Sequence, residues 1–216
     1  MDDSRIAVPA YKVVVLGDSS VGKTSLIHRF ASDTFNQHTS NTIGAAFITI
    51  EHSSKSKEDR KLKLEIWDTA GQERYKSLTP MYYRNANVAL ICFDLSNVVT
   101  LDKAKYWLEQ LLLNSGSQSQ AATIKLIGTK QDLIENNETS RVVTDFCEQN
   151  HLTFYKTSAK TREGIDALFD EMIDEIDEQF FVKFYENQKQ LQDANSKSTI
   201  NNINFLNYNP SNNRCC

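Results

Sequence analysis

The 216-residue sequence has no uninterrupted run of about 18 apolar residues, so no segment reads as a membrane-spanning helix. Cysteine is scarce as well. The four cysteines are too few and too scattered for a disulfide framework. Cys92 sits in an apolar run and Cys147 in an expected helix, where packed thiols are the ordinary interpretation, while Cys215 and Cys216 close the sequence and need another. There is no excess of basic charge: the formal net charge is −4, which argues against general nucleic-acid binding. From Lys183 onward four basic and two acidic residues give +2, so residues 1–182 carry −6. An anionic ligand must therefore be held by a local site. Met1–Arg5 reads as neither a secretory signal nor a myristoylation site, since position 2 is Asp. No internal repeat is visible, and a chain that is 40% hydrophobic can bury one domain core and carry an appendage.

What is present begins near the amino terminus. Gly17-Asp-Ser-Ser-Val-Gly-Lys-Thr24 has the form G-x-x-x-x-G-K-T. It follows the β-branched run Tyr11–Leu16, which reads as a strand buried on both faces, and precedes Leu26, Ile27 and Phe30 at helical spacing. A strand, this loop and a helix in that order form a phosphate cradle. Gly17 and Gly22 permit backbone conformations that a side chain would block, so successive N–H groups can face phosphate oxygens. The helix N-terminus adds to the field. Ser19, Ser20, Val21, Gly22, Lys23, Thr24 and Ser25 are the expected cradle, with Lys23 reaching the β- and γ-phosphates and the Thr24 hydroxyl binding Mg²⁺.

Farther on, Phe47–Glu51 and Lys61–Trp67 alternate as an antiparallel pair joined by a polar hairpin loop, 52–60. Val88–Phe93, Thr123–Gly128 and Leu152–Tyr155 read as further strands. Helices are expected over Thr100–Leu113, from Ser140 as cap to Asn150, and from Gly164 to about Phe181. The expected fold is α/β: a mostly parallel six-stranded sheet with one antiparallel strand and helices on both faces. Ligands in such sheets sit at the carboxyl ends of the strands, and every candidate motif follows a strand, at Leu16, Trp67, Ile127 and Tyr155. Beyond Gln192 the Asn/Ser-rich sequence reads as a disordered tail.

Asp68-Thr-Ala-Gly71 would be a plain turn on its own. Beside a phosphate loop, Asp68 becomes a carboxylate near Mg²⁺, acting through water, and the Gly71 amide a sensor of a γ-phosphate. Gln72 is placed to orient an attacking water, because phosphoryl transfer needs positioning more than proton abstraction. Thr129-Lys-Gln-Asp132 and Ser158-Ala-Lys160 each follow a strand. Asp132 can accept both N1–H and the exocyclic amine of guanine, a pattern adenine does not offer. The Lys130 stem would pack on the purine face and Phe35 would close its edge. Alone, either segment would be an ordinary polar turn.

With these residues the chain resembles the small GTPases of the Ras superfamily, P-loop NTPases, and within them the Rab family. The resemblance covers about residues 10–182 and the last two positions. Lys63–Tyr75 and Met81–Arg84 look like Rab stretches, and Thr42-Ile-Gly-Ala-Ala-Phe47 resembles the first switch of the early-endosomal Rab subgroup. The resemblance implies that Thr42 completes the Mg²⁺ shell, although on sequence physics a loop threonine is usually only that. It implies too that Phe47, Trp67 and Tyr82 form an aromatic patch read by effectors; a core role for these rings is equally reasonable. Activity would be slow GTP hydrolysis, with Gln72 and Lys23 as the catalytic residues. No arginine stands ready to act in cis, so an activating protein would be needed.

The family's guanine motif begins with Asn where this chain has Thr129. A hydroxyl is shorter and lacks amide donors, so a weaker tie to the phosphate loop and faster nucleotide release are expected. The alternative is a membrane-anchored binding module whose switching has been lost through Thr129. A P-loop ATPase or kinase is disfavoured by Asp132 and Lys160. Cys215 and Cys216 resemble the double-cysteine terminus that carries two geranylgeranyl groups; two lipids anchor stably where one does not. The implied organisation is a GTPase domain, 1–182, and a disordered hypervariable tail, 183–216, ending in a prenylated double cysteine. Implied partners are an activating protein, an exchange factor, effectors, a prenylation escort and a membrane-extraction chaperone. No nucleic acid is expected, and the chain would be a monomer on the cytoplasmic face of endosomal or vacuolar-pathway membranes. The apolar residues Ile203, Phe205, Leu206 and Tyr208 would serve the escort or chaperone.

Overall fold

The computed structural model describes residues 7–57, 60–72, 79–114, 122–135 and 140–191. The described residues divide into two units, one of residues 10–175 and one of residues 7–9 and 176–191.

The first unit is built on a six-stranded sheet: β1 (Ala10–Gly17), β2 (Ala45–Ser53), β3 (Lys61–Thr69), β4 (Val88–Asp94), β5 (Thr123–Thr129) and β6 (Thr153–Lys156), in the order β2-β3-β1-β4-β5-β6. Only β2 runs antiparallel, paired to β3 with Phe47 opposite Trp67. β4 and the Val13–Gly17 stretch of β1 are buried on both faces, as unbroken apolar runs are. β3 alternates, with Leu62, Leu64 and Ile66 buried between Lys61, Lys63 and Glu65.

The helices are α1 (Lys23–Ser32), α2 (Thr79–Tyr83), α3 (Leu101–Asn114), α4 (Arg141–Asn150) and α5 (Ile165–Asp174). The apolar stripe expected on α3, Leu101, Ala104, Trp107, Leu108 and Leu111, is buried with Val14, Leu16, Ile91 and Phe93 of the sheet and Val143 and Phe146 of α4. Each such side chain contributes about 1.5–3 kcal/mol on burial. On α1, Phe30 stacks on Phe169 of α5 with ring centroids 3.6 Å apart. Ser140 stands at the cap position of α4 but offers its carbonyl, not its side chain, to the first turn.

The ends differ from expectation. The last helix does not run to Phe181. It stops at Asp174, and a separate helix, α6, covers residues 178–191. Asp177 starts it, its carboxylate accepting the Gln179 N–H at 2.7 Å. Residues 183–191, expected as part of a disordered tail, are therefore helical, and the expected boundary at 182/183 falls inside α6. The physical reason is composition: 178–191 contains no Gly or Pro and is rich in Glu, Gln and Lys. The expected docking residues Ile203, Phe205, Leu206 and Tyr208, and the expected lipidation residues Cys215 and Cys216, lie outside the described residues.

Sheet order sets the site. The chain leaves β1 to one side through β2 and β3 and returns on the other as β4, so the direction of winding reverses beside β1. Parallel register places Asp68 beside Val15 and Thr129 beside Asp94. The segments following β1, β3, β5 and β6 therefore open on one edge.

Candidate functional site

The loop after β1 wraps into α1 through Gly22, whose φ of 97° suits glycine. Lys23 is 5% exposed and folds back over the loop, donating to the carbonyls of Gly17 at 3.1 Å and Asp18 at 2.6 Å. Burial lowers the pKa of this ammonium, and the nearby Cys92, Asp68 and Asp18 oppose the shift. An anion entering the loop would restore what burial takes away.

Thr24, Thr42 and Asp68 converge although they are far apart in sequence. Thr24 donates to Asp68 Oδ2 at 2.6 Å. The Thr42 hydroxyl lies 2.8 Å from that of Thr24 and, since Thr24 has spent its proton, donates to it. Asp68 Oδ1 is buried and has no hydrogen-bond partner among the described residues. Burial raises the Asp68 pKa, opposed by the Thr24 bond and the charges of Lys23 and His28. An orphaned carboxylate oxygen beside two hydroxyls is a hard-oxygen set that fits Mg²⁺, provided phosphate and water complete the shell. No cluster of three His, Cys, Asp or Glu side chains that could hold a metal occurs among the described residues.

Gly71 shows why the segment after β3 carries a glycine. A Cβ there would lie 2.3–2.4 Å from the Asp18 carbonyl and the Ser19 nitrogen, so only glycine lets this segment touch the phosphate loop. A cavity of about 420 Å³ runs from Ser19, Ser20, Lys23 and Thr24, past Thr42, Gly71 and Gln72, to the far end of the edge. Gly22, Ser25, Phe35, Thr129, Lys130, Asp132, Ala159 and Lys160 also line it. Val21 and Ser158 are buried behind it.

At the far end Asp132 accepts from the Ser158 hydroxyl at 2.5 Å, with Lys160 Nζ 4.0 Å away. Lys130, in the left-handed region at φ 58°, extends to Asp94 at 2.7 Å. The Thr129 hydroxyl reaches the phosphate loop, donating to the Val21 carbonyl, and lies 2.9 Å from the Phe93 carbonyl. One proton thus serves two acceptors. Sequence reasoning missed Arg29, which donates from α1 to the carbonyls of Ala159 and Lys160. It missed Asp94 as well, the partner of Lys130. Neither belongs to a local motif, so no sequence signal marks them.

Away from the cavity, Phe47, Trp67 and Tyr82 form a continuous aromatic surface, with centroids 5.0 and 5.5 Å apart. Phe47 is 53% exposed, while Trp67 and Tyr82 rest on the core. The core role left open by the sequence holds for Trp67 and Tyr82, and Phe47 stays exposed beside them.

A sequence profile of the Ras family matches residues 12–178. The chain belongs to the Ras family. The GTP-binding protein ypt5 of Schizosaccharomyces pombe is 44% identical over 160 residues, covering 73% of this Ras-family chain and 74% of its own. The GTP-binding protein YPT53 of Saccharomyces cerevisiae is 42% identical over 178 residues, 78% of each. The Ras-related protein Rab-5B of Plasmodium falciparum is 38% identical over 176 residues, 82% of each.

Proposed function

We propose that this chain is a Rab-type GTPase switch, which binds and hydrolyses GTP and recruits effectors for endosomal vesicle targeting, docking and fusion. The observation that carries it is the single cavity joining the phosphate loop, Thr42, Gly71 and Gln72 at one end to Asp132 at the other. The Ypt and Rab relatives support it. A binding module that has lost switching is not favoured, since Thr24, Asp68 and Thr42 are already assembled.

Lys23 and the loop N–H groups hold the phosphates, and Asp132 selects guanine by accepting from its N1–H and 2-amino groups. Thr24, Thr42 and Asp68 would hold Mg²⁺, which neutralises phosphate charge when bound. Thr42 and Gly71 each tie a loop to the γ-phosphate end, so its loss on hydrolysis frees both segments. Gln72 orients the attacking water. Among the described residues no arginine lines the cavity, in keeping with slow intrinsic turnover and an activating protein. An exchange factor would restore GTP, and effectors would read the Phe47–Trp67–Tyr82 surface. Cys215 and Cys216, each carrying a geranylgeranyl group, would hold the monomer on endosomal or vacuolar-pathway membranes, with an escort and an extraction chaperone cycling it through the cytosol.

The test is to identify the nucleotide that co-purifies with the chain and to time its turnover beside Gln72→Leu. Guanine nucleotide is expected in both, with turnover about tenfold slower in the variant for the loss of one positioning bond of about 1.4 kcal/mol. Adenine nucleotide, or none, would overturn the proposal.

A further inference from the structure

We infer that Arg29 is a positioning residue for base recognition, holding the 158–160 turn so that its backbone meets a purine 6-oxo group. The inference rests on the guanine specificity proposed above. Among the cavity-lining residues, those that accept hydrogen bonds from the Arg29 side chain are Ala159 and Lys160 of this turn. Its Nε–H donates to the Ala159 carbonyl at 2.6 Å and an Nη2–H to the Lys160 carbonyl at 3.1 Å. Its Nη1 group is fixed on Asp33, at 2.9 Å from the carbonyl and 3.0 Å from the carboxylate. Asp33 is held in turn by Arg162 at 2.5 Å, itself paired with Asp166 at 2.8 Å. The guanidinium fork is thus braced from behind and only 16% exposed. Its rigid planar geometry suits two neighbouring carbonyls as a lysine does not.

The consequence for the turn follows from peptide geometry. Carbonyl and N–H of one trans peptide point in opposite directions. With the Ala159 carbonyl held on Arg29, the Lys160 N–H is turned the other way. The next N–H, of Thr161, is spent on Ser158 Oγ at 3.1 Å, and the Ser158 hydroxyl donates to Asp132 at 2.5 Å. Arg29 therefore grips one side of a turn whose Ser158 hydroxyl donates to the base-reading carboxylate of Asp132. Ala159 and Lys160 line the cavity next to Asp132. A guanine that gives N1–H and its 2-amino group to Asp132 presents its 6-oxo acceptor beside them on the same edge. Adenine would bring an amino donor to meet an N–H donor. α1 begins in the phosphate loop, so one helix braces both ends of the ligand.

The experiment measures release of GDP and of 6-thio-GDP from the full chain, from Arg29→Met and from Arg29→Lys. The thio analogue keeps N1–H and the 2-amino group but offers a poorly accepting sulfur at position 6. Both variants are expected to release GDP about tenfold faster, having lost a two-pronged charge-assisted contact. Their preference for GDP over the thio analogue should shrink, the coupling that a double-mutant cycle isolates. Release of both nucleotides accelerated by one common factor would mean a merely structural role and overturn the inference. The lysine variant keeps the charge opposite Asp33, so it supplies the same ratio if Arg29→Met does not fold. A natural chain that takes up no guanine nucleotide would overturn the proposed function together with this inference. Normal GDP binding with an unchanged ratio in the variants would overturn this inference alone.

Discussion

Replacing Thr129 by Val removes one hydroxyl while keeping the branched shape of the side chain. That hydroxyl faces two buried acceptors, the Val21 carbonyl in the phosphate loop and the Phe93 carbonyl at the end of β4, 2.9 Å away. Thr129 is 4% exposed, so solvent does not take its place. The lost bond is worth about 1 kcal/mol, and a buried carbonyl deprived of its donor can raise the cost to about 2 kcal/mol. If that loss falls on the nucleotide-bound state, GDP leaves roughly 5- to 30-fold faster. Thr129→Asn works in the opposite direction. Its amide has two N–H donors where the hydroxyl has one, so each carbonyl can be satisfied at once, and release should be slower than in the natural chain. Fluorescent GDP is loaded on all three chains and chased with excess unlabelled GDP, and the decay rates are compared, with melting of the GDP-bound chains alongside. Natural release from Thr129→Val, or no slowing in Thr129→Asn, would refute the idea that this hydroxyl limits how tightly the loop is tied.

Gly71→Ala drives a Cβ to within 2.3–2.4 Å of the Asp18–Ser19 backbone, an overpacking that costs about 1–3 kcal/mol. The displaced segment should lose its contact with the γ-phosphate end, so the ratio of GTP to GDP affinity should fall; an unchanged ratio refutes this. Hydrogen bonds from Ser54 and Ser56 hold the Asp174 pKa below its ordinary 3.8, so the folded state keeps this group ionised. The stability it adds is whole above about pH 4 and is lost as pH falls through the lowered value. Asp174→Asn should flatten the acid limb of melting temperature against pH, and a limb identical to the natural one would show that the hairpin between β2 and β3 is not clasped through this carboxylate.

The fold was legible because its elements are locally marked. β4 and the Val13–Leu16 stretch of β1 are unbroken apolar runs and β3 a clean alternation, and these patterns follow from burial on two faces or one. Boundaries governed by capping were harder. The stop at Asp174 and the new start at Asp177 lie inside a continuous periodic run, and the Asp177 carboxylate on the Gln179 N–H marks the new start. That signal is a single aspartate among many in an acidic segment. The helical character of 183–191 was hidden for a related reason: charge and amide side chains read as tail, yet the same residues are good helix formers.

In the site, legibility tracked the distance over which each residue acts. Lys23, Asp68, Gly71 and Asp132 stand in motifs because a ligand's phosphates and base impose fixed spacings along the chain, and a spacing can be read from sequence. Arg29 and Asp94 act on protein groups, Ala159 and Lys130, which lie 130 and 36 positions away. No local pattern constrains such contacts; they exist only once β5, β6 and α1 share one edge. Thr129 belongs to both classes. Its motif position announces a departure, but which groups the hydroxyl serves depends on where Val21 and Phe93 put their carbonyls. In sequence a donor is missing; in the fold the one that remains faces two acceptors. The asymmetry points to where altered nucleotide retention should arise in this chain: in the layer that braces the motifs, where a substitution shifts release rates while leaving every recognisable motif residue in place.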